Sequence, residues 1–281
     1  MSDPQPITHI RHGQQRKEYW RRCWNYRELL YFLARRDFVV KYRQTLAGIF
    51  WLLARPLQQV FIFTVLFGVI ANLPSGQVSY PVLVMSGVVI WQFFSAIVTQ
   101  SSNCLVSNTN LITKVFFPRI LLPVGTIVPN LVDLAINLIA LAVIMACYGD
   151  FPTWRVIFLP LPIILAALIA LGFGLWFSAA AARYRDFRQL AGFILQGFHL
   201  LSPLGYSSEI LSERLGIWTF LYYMNPLVGV IDLTRWCVLP QGAAAFPNGP
   251  MMALSLSFGL VLVLSGQWYF RRCERTFADV I

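Results

Sequence analysis

Trp154–Ala182 reads WRVIFLPLPIILAALIALGFGLWFSAAAA and ends against Arg183-Tyr184-Arg185-Asp186-Phe187-Arg188. Only Arg155 is charged in the apolar run, which is long enough to cross a ~30 Å hydrocarbon core as a helix. Runs of the same kind lie on both sides of it, at Gly48–Leu73, Tyr80–Ser102, Ile120–Tyr148, Leu190–Tyr206 and Met251–Phe270. Backbone in lipid must satisfy its own hydrogen bonds, and long apolar runs without strand alternation select helices over a barrel. The expected fold class is therefore an all-α membrane protein with six transmembrane helices. A composition of 57% hydrophobic and 12% charged residues in 281 agrees, being too apolar for an ordinary soluble domain.

The basic residues fix the orientation. A large group runs from Arg11 through Arg16, Lys17, Arg21, Arg22, Arg27, Arg35, Arg36, Lys41 and Arg43 to Arg55. The rest sit in two short loops (Lys114 and Arg119; Arg183, Arg185 and Arg188) and in the tail (Arg271, Arg272, Arg275), apart from Arg155, Arg214 and Arg235. Cationic loops stay cytoplasmic during insertion. The +10 net charge is thus a topology signal and implies no nucleic-acid partner. The first 40 residues hold no apolar core, so no cleavable signal peptide is expected.

The stretch Ile217–Leu239 is long enough to span but holds Asn225-Pro226, Asp232 and Arg235. A central Asp or Arg costs roughly 2.5–3.5 kcal/mol on the insertion scale. One extra crossing would also put Arg271, Arg272 and Arg275 outside. The stretch therefore reads as a re-entrant helix pair on the periplasmic side, leaving six crossings and both termini in the cytoplasm. The division is residues 1–47, a cytoplasmic N-terminal segment, and 48–281, a transmembrane domain.

Within residues 14–44, Trp20, Trp24, Tyr31, Phe32, Leu33, Phe38, Val39 and Val40 interleave with arginines, as in an amphipathic helix lying at the headgroup interface and touching membrane lipids. After the second run, Ser107-Asn108-Thr109-Asn110 offers a helix N-cap and Pro118 stops a helix. A short cytoplasmic helix of about two turns is expected between them.

Absent chemistry is informative. A phosphate-cradling Walker A loop needs Lys directly after Gly, but Lys17, Lys41 and Lys114 follow Arg, Val and Thr. No catalytic residue, cofactor site or metal site is expected. Cys23, Cys104, Cys147, Cys237 and Cys273 are scattered, and His9 and His12 form only a lone HxxH. Asn130, Asp133 and Asn137 share one helix face. With no buried cationic partner evident for Asp133, the stripe reads as a helix–helix hydrogen-bond cluster before a proton relay. Phe61, Phe63, Phe67, Trp91, Phe93, Phe94, Phe193, Phe198 and Tyr206 are candidates for the walls of a glycan pathway, since aromatic faces receive the apolar faces of sugars. Lipid-facing or belt positions are the competing reading for each.

Several stretches resemble type-2 ABC exporter permeases. Lys41-Tyr42-Arg43-Gln44-Thr45-Leu46-Ala47-Gly48, continuing through Trp51 to Arg55-Pro56-Leu57, resembles their entry to the first span. Leu105 through Arg119 resembles their first cytoplasmic coupling segment, Arg183-Tyr184-Arg185-Asp186 their second inside loop, and Asn225-Pro226-Leu227 their external re-entrant element. The branch most similar exports lipid-linked polysaccharide: O-antigen, teichoic acid and related glycans. Ala47 and Ala54-Arg55 depart from its pattern and leave the substrate open among these glycans, capsule, or another lipid or drug.

The resemblance implies a homodimer in the bacterial inner membrane that recruits two copies of a separate ABC ATPase, which binds the ATP and Mg. It implies ATPase coupling through Asn108, Asn110, Lys114, Phe116, Phe117, Arg119, Arg185 and Asp186, with both phenylalanines as apolar anchors. It also implies a polyprenyl-diphosphate-linked glycan substrate, whose head group Arg35, Arg36, Lys41 and Arg43 would hold or gate.

Overall fold

The computed structural model describes residues 21, 23–43, 48–184, 186–240, 246–274 and 277; the readings of His9, His12, Arg185 and the side chain of Arg43 lie outside them. The described residues are helices and their connections, with no strand among them. In chain order the helices are α1 (Arg27–Arg43), α2 (Gly48–Phe63, continued by a π-helical turn over Thr64–Ile70), α3 (Tyr80–Ser107), α4 (Thr109–Lys114), α5 (Leu121–Gly125) and α6 (Ile127–Tyr148). Then follow α7 (Pro160–Arg183, after a 3-10 turn at Trp154–Phe158), α8 (Phe187–Leu201), α9 (Ser208–Leu215), α10 (Thr219–Tyr223), α11 (Pro226–Val238) and α12 (Gly249–Cys273).

The hub is α3. It is the most buried of the long helices, and Val82 through Ile90 are buried without a break. At 28 residues it is about 42 Å long, so its two ends mark the two ends of the bundle. Small residues let α7 and α12 approach closely. A Cβ on Gly266 would lie 2.4 Å from the Gly172 carbonyl oxygen, and one on Gly172 would lie 2.9 Å from the Val263 backbone. Such contacts pack helices where lipid removes the hydrophobic drive.

Five helical stretches are long and apolar enough to cross a membrane: Phe50–Ile70, Tyr80–Ser107, Leu121–Tyr148, Trp154–Arg183 and Gly249–Cys273. They match five of the six expected runs. The sixth expected run, Leu190–Tyr206, is not among them. Its helix, α8, covers 15 residues, about 22 Å, and stops at Leu201. Pro203 is the reason: it bars the α conformation at Ser202, whose φ and ψ are −91° and 147°.

Two further expectations change. The short helix after α3 ends at Lys114, with Val115 extended at φ −128° and ψ 133°. Asn108 does not cap it; its Nδ2 donates to the Cys104 carbonyl at 2.8 Å, closing α3 instead. Helix α1 is more than a surface ribbon. Leu33 and Ala34 are buried, Leu30 and Leu33 lie against Gly125 of α5, and the helix runs on beside α6.

Candidate functional site

At the Ser107 end of the bundle a second apolar cluster joins Leu33 of α1, Leu105 of α3, Ile112 of α4, Leu121 of α5, Leu175 and Ala179 of α7, Phe270 of α12, and Phe277. The segment 109–117 is seated on it through Ile112 and Phe117. This seating sorts the predicted coupling residues. Phe116 is 64% exposed, and Asn110, Lys114 and Val115 stand outward with it. Phe117 is only 5% exposed, so the expectation of a second outward anchor is corrected: it fastens the segment to its own chain. Asp186 is exposed at the start of α8.

Arg119 is also turned to a structural task. Its backbone N–H donates to Glu274 Oε1 at 2.8 Å, its Nη1 donates to the Glu274 carbonyl at 2.5 Å, and its guanidinium lies 5.9 Å from the centre of the Phe277 ring. The sequence gives no signal for this clamp, because its partners lie 155 residues apart. Nearby, burial and then the Glu274 carboxylate push the Cys23 thiol up to about 11, so it stays protonated at neutral pH.

The head-group set separates as well. Arg35 is exposed on α1, and Arg36 donates to its neighbour Asp37 at 2.7 and 2.9 Å in an exposed pair. Lys41 is engaged elsewhere. Its ammonium pairs with Asp133 of α6 and reaches Asn130 Oδ1 at 3.4 Å, while the Tyr42 hydroxyl donates to the other Asp133 oxygen. Asn130 in turn exchanges bonds with Gln100 of α3 at 3.0 and 3.1 Å. Asp133 therefore has the cationic partner that the sequence reading denied it. That reading missed the pair because Lys41 precedes the first apolar run and was assigned to the headgroup layer.

The aromatic candidates divide by burial. Trp91, Phe93 and Phe94 lie within the core of the chain. Phe63, Trp91 and His199 are in ring contact, with centroids 5.7 Å apart for Phe63–His199 and 5.0 Å for Trp91–His199. Phe198 meets Phe173, which meets Phe94, itself in ring contact with Trp91. Phe67 and Tyr206 meet edge-to-face at 6.2 Å. Phe61 and Phe193 face away from the chain, 70% and 73% exposed.

At the Tyr80 end, α11 closes the gap left where α8 breaks. Arg235, 4% exposed, donates to the carbonyls of Tyr206 at 2.9 Å and of Leu83 and Leu204 at 3.4 Å. Asp232 accepts from Ser208 at 2.7 Å and Tyr223 at 3.2 Å. Asn225 caps α11 through the Leu227 N–H at 3.0 Å and donates to Ser202 at 3.1 Å. The two charges that spoke against a lipid crossing thus lie inside protein, Arg235 satisfying backbone carbonyls and Asp232 side-chain hydroxyls. Among the described residues no group of His, Cys, Asp and Glu is arranged to hold a metal.

Comparison with known proteins follows the same lines. The family model for ABC-2 type transporters matches residues 28–239. The chain is 24% identical over 263 residues to the O-antigen export system permease protein RfbA of Myxococcus xanthus, covering 93% of this chain and 98% of that one. It is 24% identical over 259 residues to the protein of the same name from Klebsiella pneumoniae, covering 90% and 95%. To the polysialic acid transport protein KpsM of Escherichia coli it is 22% identical over 232 residues, covering 81% and 86%.

Proposed function

The chain belongs to the ABC-2 type transporter family, and on that premise we propose that it is the membrane permease subunit of an ATP-driven polysaccharide exporter. O-antigen-like glycan on a polyprenyl-diphosphate carrier is the substrate class. The likeness to the polysialic acid transport protein favours capsule as the second reading. The observation that carries the reading is the segment 109–117. It is anchored inward by Ile112 and Phe117 and offers Lys114, Val115 and Phe116 outward, beside the basic ends of α7 and α12. A rigid apolar knob with a cationic rim suits the cleft of an ATPase subunit, which holds the ATP and Mg. Asn110 and Asp186 extend this face.

In this reading the Ser107 end is cytoplasmic, since Lys114, Arg119, Arg183, Arg188, Arg271 and Arg272 gather there. Both termini are then on the cytoplasmic side of the inner membrane. Helix α8 with the segment 202–206 completes a sixth crossing, and α9 to α11 form the re-entrant element of the periplasmic side. Two copies associate. Arg35 and Arg36, on the face of α1 that also carries Tyr31 and Phe32, are suited to a diphosphate head group.

The test is copurification with the ATPase subunit. Lys114→Glu and Phe116→Ala are expected to cut complex yield severalfold at unchanged membrane abundance. Undiminished yield in both variants excludes the docking role.

A further inference from the structure

We infer that Lys41 and Asp133 are a positioning pair that makes α1 travel with the coupling segment during the transport cycle. The inference deepens the coupling reading above and rests on it.

The path from the segment to the pair is short and stiff. Segment 109–117 turns at Pro118 directly into α5, and α5 runs into α6, the junction held by the Thr126 hydroxyl donating to the Pro123 carbonyl at 2.8 Å. Ser101 of α3 meets the same hydroxyl at 2.9 Å. Asp133 lies in the second turn of α6, so a tilt of the coupling segment is a tilt of Asp133. On the other side, Lys41 and Tyr42 occupy the last turn of α1, just before the entry to α2.

Both carboxylate oxygens of Asp133 are committed to α1, one to Lys41 and one to Tyr42. Asn130, one turn earlier on the same face, accepts from Lys41 and is fixed by Gln100 and by the Thr126 carbonyl, to which its Nδ2 donates at 2.7 Å. Apolar contacts between α1 and α5, such as Leu30 and Leu33 on Gly125, tolerate sliding. A partly buried ion pair does not, because separating it strands two charges in a poorly solvated place. Fixing register is the best-attested use of such pairs. Helix α1 therefore follows α6 when the segment moves, and it carries Arg35 and Arg36 with it.

The experiment uses the full-length permease coexpressed with its ATPase subunit in cells lacking the chromosomal copy. Surface glycan and ATP hydrolysis are measured per purified permease–ATPase complex. In Lys41→Met/Asp133→Asn no charge is stranded, so complex yield is expected to stay at the wild-type level. Export per ATP hydrolysed falls about five- to tenfold, the lower range of ordinary coupling effects. The charge exchange Lys41→Asp/Asp133→Lys restores most of it. Wild-type export by the neutral double variant overturns the proposal, as does loss of its complex yield, which would make the pair a folding element. An exchange variant that forms the complex and recovers no export also overturns it. Failure of the coupling reading registers separately, as undiminished complex yield in Lys114→Glu and Phe116→Ala.

Discussion

Phe116 and Phe117 are neighbours of one chemical type with opposite surroundings, Phe116 exposed and Phe117 buried against its own chain. Their truncations should therefore differ in kind. Phe117→Ala opens a cavity in the cluster with Leu105, Ile112 and Phe270 and costs about 3–5 kcal/mol. It is expected to lower the amount of permease in the membrane, measured by immunoblot, where Phe116→Ala leaves it unchanged. The sequence marked both residues as apolar in a polar loop but carried no sign of which turns inward. Lys41 and Asp133 illustrate the same limit at longer range. Each was singled out, but a bond across 92 residues has no local signature.

At the scale of the element, α8 and the α7–α12 contact are the informative cases. The apolar run Leu190–Tyr206 was legible, yet Pro203 inside it outweighs hydrophobicity and ends the helix early. The polar residues of 217–239 speak against lipid contact, and Asp232 and Arg235 lie buried within the chain. That Arg235 would serve the carbonyls freed by the break in α8 was not readable, since it depends on two elements meeting. The close approach of α7 and α12 rests on glycine. Gly172→Ala places a methyl 2.9 Å from the Val263 backbone, which cannot yield as a side chain can. The expected cost is about 1–3 kcal/mol, seen as a lower melting temperature of the detergent-solubilised protein. Gly249→Ala, whose added methyl meets nothing within 4 Å, is expected to shift it little.

On the scale of the whole molecule, burial is uneven in a way that bears on function. Helix α3 is enclosed, whereas α2 and α8 leave most of their surfaces uncovered by the chain; in α8 only Ala191 is buried. Phe61 and Phe193 lie on those open surfaces, while Trp91, Phe93 and Phe94 belong to the core. Of the nine aromatic candidates, Phe61 and Phe193 thus combine the greatest exposure with a place on an open helix. Phe61→Ala/Phe193→Ala is expected to slow glycan export severalfold at unchanged membrane abundance and ATPase association. An unchanged rate of surface glycan appearance removes them from the pathway.

By itself the sequence determined the class of object: a helical membrane protein, its basic end, and the family. These follow from run length, charge and short motifs, which are local quantities that burial does not alter. Only the tertiary structure decided which side chains of those motifs remain available. Phe117, Arg119, Lys41 and Arg235 are all consumed by partners far away in the chain. The physical reason is that a charge or ring in a poorly solvated setting takes whichever partner the packing of helices brings within reach, and that packing is set by the assembled bundle.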